Sequence, residues 1–335
     1  MKDFCIVGSG ISGSTIANLL SKKYSVEIFD KARGPGGRAS NRRYKKKLSF
    51  DHGLQYLSPK SNGFKKFILD LKKKNVLKEW SGQHLDFTFE KKENSIKYIG
   101  SKGNNDVCKH LIKDIKVNYN STVTNIKFNS TYWTITLNNK NQVFFKYLIL
   151  TCPLPQLKVL ALKYIKKEIS NLKVNMVPNI TVMVAYKNYK KLPINSIKFN
   201  DEIIAWAAQE NTKDRFKTNQ VLWTIQCTDS FSKKIINLFK INKNKYQSVI
   251  LKRFEDLLGY QAKNISFQNI HGWKYAYNRL RGSRLRGGLN FIFSNKYKLS
   301  VCADWFTGSK AENAWLSAES LYKKIKKNPP KLRRV

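Results

Sequence analysis

FCIVGSGISGSTIANLLSKKYSVEIFD, residues 4–30, is the stretch on which the fold turns. A short apolar run at residues 4–7 meets Gly8-Ser9-Gly10-Ile11-Ser12-Gly13. A helical pattern follows with Ile16, Leu19 and Leu20 on one face, and a second strand at residues 26–29 ends in Asp30. Strand, glycine turn, helix and strand make a βαβ unit with the spacing of a dinucleotide-binding fingerprint. Gly8 permits the tight turn, Gly10 lets backbone approach a pyrophosphate, and Gly13 lets the helix pack closely on the strand. The phosphates would meet the free N–H groups at the helix start, with Ser9 and Ser12 in the same turn. Asp30 lies 17 residues beyond Gly13 and is placed to accept hydrogen bonds from a ribose hydroxyl, with Lys31 beside it. An acid there favours an unphosphorylated adenosine ribose, as in NAD or FAD.

The next residues separate those two cofactors. An NAD-dependent dehydrogenase usually continues into ordinary βα units, but here Gly36-Gly37-Arg38 follows the acid directly. Two glycines allow a second close approach to the pyrophosphate, and Arg38 offers a fixed planar cation. The pattern resembles the second fingerprint of the amine-oxidase-like flavoproteins, a "GGR" shortly after the ribose acid, and so points to FAD.

Further segments resemble one branch of that superfamily, the renalases and their bacterial homologues. SFDHGLQYLSP (49–59) resembles a segment lying beside the flavin, LTCPLPQ (150–156) a strand end, and IIAWAAQENTKDRF (203–216) a substrate-domain strand. HGWKYAY (271–277) is similar to another, and LSVCADWFTGSKAENAWLSAESL (299–321) to the segment where a carboxylate and a helix start hold the flavin. The likenesses are collinear over most of the chain, with residues 60–97 and 228–265 contributing little. The resemblance implies FAD contacts from His52, Gly53 and Leu54, from Val123 beside the adenine, and from Asp304, Asn313 and Ala314. Two departures stand out: Ala303 and Asn313 occupy positions where the family usually has glycine.

Each of these segments also has a reading of its own. Gly53 removes side-chain bulk where a planar ring could stack, and His52 or Gln55 could hydrogen-bond it. The apolar run 299–303 ends in Asp304, and residues 311–325 read as a helix whose N–H groups would favour negative charge at the flavin. Residues such as ITVMVAYKNY (180–189) and VLWTIQC (221–227) alternate as antiparallel strands of a separate sheet. Trp206, Trp223, Trp273 and Tyr275 lie on such strands. His271, Trp273 and Tyr275 share one face by period-two alternation, which makes them, with Trp206, the candidates for a substrate chamber. No catalytic acid or base is assigned. Residues 278–288, NRLRGSRLRGG, read as a basic hairpin that could alternatively bind a phosphate, and residues 329–335 as a basic tail.

Composition bounds the rest. The chain has 335 residues, 41% of them hydrophobic, enough for two folded parts. Its net charge of +41 would attract polyanions, but only 12 of its 63 basic residues are arginine and the lysines are spread everywhere. That pattern reads as compositional, with no specific nucleic-acid partner, though it favours small anionic ligands. Five widely spaced cysteines indicate neither a disulfide framework nor a metal site and fit a reducing compartment. Without a signal peptide or an apolar run of membrane length, a cytoplasmic protein is expected.

The expected fold is therefore α/β: a discontinuous FAD-binding Rossmann-type domain (1–58, 98–157 and 271–328) with a second, mostly antiparallel substrate domain (59–97 and 158–270). The expected function, implied by the resemblance, is that of an FAD oxidase. It would take a hydride from an aberrant dihydro-NAD(P) isomer, an anionic dinucleotide, and pass the electrons to O2. The alternatives are a flavin amine oxidase and a basic surface-binding protein on a flavoprotein scaffold.

Overall fold

The computed structural model describes residues 1–45, 48–88, 96–170, 172, 174–279 and 288–329. Residues 280–287 of the basic hairpin and 330–335 of the tail lie outside the described residues. In chain order the elements begin with β1 (Lys2–Val7), α1 (Ile11–Ser21), β2 (Val26–Phe29), β3 (Asn41–Tyr44), β4 (Leu48–Asp51) and α2 (Asn62–Lys73). They continue with β5 (Leu77–Glu79), β6 (His84–Leu85), β7 (Tyr98–Gly100), α3 (Asp106–Leu111), β8 (Lys116–Asn118), β9 (Val123–Phe128), β10 (Trp133–Leu137) and β11 (Asn141–Leu150). Next come α4 (Leu154–Ile169), β12 (Met176–Tyr186), β13 (Ser196–Lys198), β14 (Ile204–Gln209), β15 (Val221–Cys227), α5 (Asp229–Ile235) and α6 (Lys243–Leu258). The last are β16 (Ile265–Asn278), β17 (Phe291–Ser294), β18 (Leu299–Cys302) and α7 (Ala311–Lys327).

Two sheets organise these elements. The first runs β17-β18-β11-β1-β2-β8, with the β9–β10 hairpin continuing antiparallel from β11. Its central pairs β18–β11, β11–β1, β1–β2 and β2–β8 are all parallel, the Rossmann-type arrangement expected of the opening βαβ unit. Helices α1, α2, α3 and α7 bury Ile16, Ile68, Val107 and Ala318 against one face, while α4 covers the other with Leu157, Ala161 and Ile165. The strand order reverses between β1 and β11, which opens the ligand crevice at their C-terminal ends.

The second sheet runs β16-β12-β15-β14-β13-β6 and is antiparallel except at β13–β6. One face carries Ile180, Val182, Trp223 and Ile225 into a core closed by α5 and α6. Met183 and Leu222 on the other face meet Leu48 and Phe50 of β4, joining the two parts. No described helix is long and apolar enough to cross a membrane.

Three segments fall on the other side of the expected domain boundaries. Helix α2, expected with the substrate part, buries Phe64, Ile68 and Leu71 in the first core. Helix α4 stays with the first sheet to Ile169, well past the expected boundary at residue 157. Residues 271–278, expected in the cofactor-binding part, are the end of β16 and pair with β12 of the second sheet on both sides of a register shift. An amphipathic pattern shows that an element has an apolar face, not which sheet covers it.

Candidate active site

The nucleotide end begins at the β1–α1 turn. Gly8 has φ +106°, in the region that favours glycine, and a Cβ on Gly13 would lie 1.9 Å from the Gly8 carbonyl oxygen. Close helix–strand packing thus forbids a side chain at Gly13. Gly10 caps α1 in extended conformation with no side-chain cap, so the first-turn N–H groups stay open toward the crevice. Ser12 Oγ donates to the Ala314 carbonyl (3.0 Å), which brings the starts of α1 and α7 together. Buried Asp30 accepts from the Ser9 N–H (2.7 Å) and Ser9 Oγ (2.6 Å) on one oxygen and from the Ala32 N–H (2.8 Å) on the other. It therefore fixes the glycine turn as well as ending β2. The Ser121 N–H donates to the Asp30 carbonyl, and this places buried Val123 two residues from the acid's neighbour. Lys31 is exposed.

The second glycine turn lies directly on the first. Gly36 N–H donates to the Ser9 carbonyl (3.0 Å), and a Cβ on Gly37 would sit 3.4 Å from Gly10 Cα. Gly36 at φ +122° and Gly37 at φ +52° need glycine for the backbone itself. Arg38, expected as a fixed cation near the pyrophosphate, has its guanidinium held by the protein itself. It donates two parallel bonds to Asp304 (2.8 and 2.6 Å) and one to the Ala276 carbonyl (3.0 Å). Such a bidentate fork is strong and directional. Arg38 and Asp304, 266 positions apart in sequence, thus form one unit at the crevice.

Asn313, one of the departures, turns its side chain back on its own helix. Its Oδ1 accepts from the Lys310 N–H (3.0 Å) and its Nδ2 donates to Thr307 Oγ1 (3.0 Å). The amide therefore caps the turn before α7. Buried Ala303 is extended (φ −164°) and packs in the second-face core, so its methyl group is accommodated.

The residues expected at the flavin lie between β4 and the second sheet. Cross-strand pairs align His271, Thr181, Gln226 and Trp206 in one row across β16, β12, β15 and β14. Trp273 and Asn179 occupy the next row. Against this face stands the turn after β4: the His52 ring stacks on Trp273 at 5.1 Å between centroids and meets His271 edge-on at 4.9 Å. Trp273 Nε1 donates to the His52 carbonyl and Gln226 Nε2 to the Gly53 carbonyl, each at 2.8 Å. A Cβ on Gly53 would be 2.0 Å from the Arg38 carbonyl oxygen and 3.2 Å from Trp273, so packing demands the glycine.

Of the proposed chamber group, His271 and Trp273 meet (4.4 Å) but Tyr275 makes no ring contact with either among the described residues. It falls where the β16–β12 register shifts, between Trp273 and Tyr277, and the shift interrupts the alternation on which the grouping rested. Trp206 lies at the far end of the row, packed against Trp80, Ile99 and Ala208. Trp223 faces the opposite core.

Electrostatics set the protonation of the chamber. Burial first, then the His271 ring and Arg42, hold the His52 imidazole down at about 3. Burial, Arg42 and Lys240 hold His271 at about 4. Both rings are neutral at neutral pH. His52 is 7% exposed, and its Nδ1 has no hydrogen-bond partner among the described residues. A nearly buried ring nitrogen left unsatisfied beside the crevice fits a site made to hold a polar heterocycle such as the flavin.

Sequence reading missed the ionic cluster directly behind this turn. Lys213 Nζ donates to Asp51 Oδ2 (2.8 Å), Gln55 Oε1 (3.1 Å) and Glu210 Oε1 (3.1 Å). Arg215 Nη1 reaches the same Asp51 oxygen (2.5 Å), and the two cations hold that carboxyl well below the usual carboxylate range against its burial. Burial, and then the charge of Asp51, push Glu210 up despite Lys213. The only signal in sequence was the charged stretch Glu210–Arg215 after an apolar strand.

Comparison with known proteins agrees with this fold. Residues 6–71 match the model of an NAD(P)-binding Rossmann-like domain, and residues 76–193 that of flavin containing amine oxidoreductase. Similar solved structures include a protein provisionally named protoporphyrinogen oxidase from Exiguobacterium sp. 255-15, at 11% identity and TM-score 0.72, covering 98% of this chain and 99% of that one. A putrescine oxidase variant with redesigned cofactor binding has 12% identity and TM-score 0.71, covering 97% and 99%. Wild-type putrescine oxidase bound to putrescine has 12% identity and TM-score 0.68, again covering 97% and 99%. The structural likenesses carry the fold, and the family matches support the amine oxidase superfamily. The chain is an FAD-dependent oxidoreductase acting on a small molecule.

Proposed function

We propose that the chain is a renalase-like oxidase whose reductant is an anionic dinucleotide, an aberrant isomer of dihydro-NAD(P). The substrate loses a hydride and returns to the ordinary oxidised nucleotide; with one proton from solvent, O2 leaves as hydrogen peroxide. FAD supplies the hydride acceptor and the two-electron path to oxygen.

The chain's own residues bind and orient. The first turn of α1, with Ser12 and Gly13, presents its N–H groups to the FAD phosphates, Gly8, Ser9 and Gly10 shape the turn before it, and Asp30 serves the ribose with Lys31 and Val123 beside it. Gly37, the Arg38–Asp304 pair, Asn313 and Ala314 border the middle of the cofactor, and His52, Gly53 and Leu54 border its ring. Trp273 and His271 offer flat surfaces to a substrate ring, with Trp206 and Tyr275 further along the same strands. Thr181 and Gln226 offer neutral hydrogen-bonding groups.

The observation that carries the reading is the pair of buried imidazoles, His52 and His271, packed with Trp273 near Arg42 and Lys240. Burial is the main cause of their low proton affinity; the positive field of Arg42 adds to it at both rings and that of Lys240 at His271, while Asp51 opposes it at His52. That field repels a protonated amine and draws a phosphate-bearing substrate. No acid–base residue is required for a hydride to move, and none is invoked. Amine oxidation remains the second reading, favoured by the family match over residues 76–193.

Anaerobic mixing of the FAD-loaded protein with 2- and 6-dihydro-NAD(P) isomers and, separately, with putrescine and other amines tests the choice. Rapid bleaching of the flavin by the isomers alone is expected. Bleaching by amines alone would replace the first reading by the second.

A further inference from the structure

The turn at residues 51–53 belongs by chain to β4, yet the second sheet and the turn after it hold all three of its residues. Trp273 and Gln226 take the carbonyls of His52 and Gly53, and the Asp51 side chain is taken by Lys213 and Arg215. The side chains of Asp51 and Lys213 are 0% exposed and that of Arg215 is 2% exposed. The other Asp51 oxygen accepts from Asn41 Nδ2 (3.0 Å) and the Asn104 N–H (3.1 Å), so no lone pair faces an empty space. Arg215 is anchored in turn on the Gly100 carbonyl and Asn104 Oδ1.

The local backbone explains how one short segment delivers both cations. Glu210–Lys213 forms a single 3-10 turn, and Asp214 is left-handed (φ 47°), which swings Arg215 back toward the same carboxylate. Two acids and two bases then lie together inside the protein. A buried ion pair adds little net stability over apolar residues of similar size, because desolvation offsets the attraction. What such a cluster does impose is geometry: two directional cations on one carboxylate allow few positions for the turn that bears it.

We propose that Lys213 and Arg215 are positioning residues for the flavin reaction. By clamping Asp51 they fix the His52–Gly53 turn, and with it the His52 imidazole and the Trp273 indole, at the ring of the cofactor. The proposal rests on the reading of that chamber as the flavin site, and its test keeps the two apart.

The variant Lys213→Met combined with Glu210→Gln removes one cation together with the acid beside it and leaves Asp51 paired with Arg215. In the FAD-loaded protein the indole N–H resonance of Trp273, assigned by loss in Trp273→Phe, reports the bond to His52. The visible spectrum of bound FAD reports the surroundings of the ring. The double variant is expected to keep FAD while its Trp273 resonance leaves the wild-type position by more than a line width and the flavin bands change shape. Arg215→Lys, which keeps charge but loses the fork, is expected to lie between it and wild type.

A wild-type resonance and spectrum in the folded double variant would overturn the proposal. So would a double variant that fails to fold together with an Arg215→Lys protein indistinguishable from wild type. If FAD leaves the Trp273 resonance of the unmutated protein where it is in the FAD-free protein, the chamber reading itself is wrong and the proposal goes with it.

Discussion

His52 and His271 show how far burial moves a side chain from its solution chemistry. Both titrate near 6.5 in an unfolded chain but at about 3 and about 4 here. Below pH 6.5 the unfolded chain therefore binds more protons than the folded one. Stability falls as pH drops from 6.5 toward 4 and gains nothing from these groups above 7. Asp51 acts in the same direction, its depressed carboxyl adding stability above the carboxylate range that is lost only below that window. Thermal melts of FAD-loaded protein between pH 4.5 and 8 are expected to fall on the acid side, and the double variant His52→Gln, His271→Gln should flatten the curve. At this scale the glycines of the opening turn were legible, because their spacing is local. The clamp on Asp51 was not, because Lys213 lies 162 positions away. No periodicity spans such a gap.

At the scale of elements, the start of α7 shows a departure from a family pattern being absorbed. A glycine at position 313 would leave the Lys310 N–H and Thr307 Oγ1 without the partners that Asn313 provides. Asn313→Gly is expected to lower stability by about 1 kcal/mol, from the lost cap and the poorer helix propensity of glycine. Thermal denaturation checks this, and an FAD titration of the same variant tells whether the amide also limits the cofactor. Strand β16 teaches a different lesson. Its alternation correctly joined His271 to Trp273, but the register shift before Tyr277 broke the pattern for Tyr275. Such a shift reflects how two strands fit together, which neither strand alone records. The misplaced domain boundaries at α2, α4 and residues 271–278 have the same origin.

For the whole molecule, in the proposed site both parts border the cofactor, so FAD would bridge them. Anything that binds only the folded state stabilises it by mass action, by about 2.7 kcal/mol at a hundredfold excess over Kd. Adding FAD to FAD-free protein is expected to raise Tm by a few degrees, rising further with FAD concentration. An unchanged melt over a wide range of FAD would contradict the crevice as drawn. The net charge of +41 acts at this scale too, as a long-range field rather than as a set of contacts.

The sequence by itself determined the βαβ unit, its glycines, the acid ending β2 and the second, antiparallel sheet, because each depends on neighbours within one turn or on a simple period. Only the tertiary structure decided that Arg38 is spent on Asp304, that His52 stacks on Trp273, and that Lys213 and Arg215 hold the turn between them. Those contacts join residues from distant strands. They follow from how the two sheets are set against each other, a geometry that local propensity does not encode.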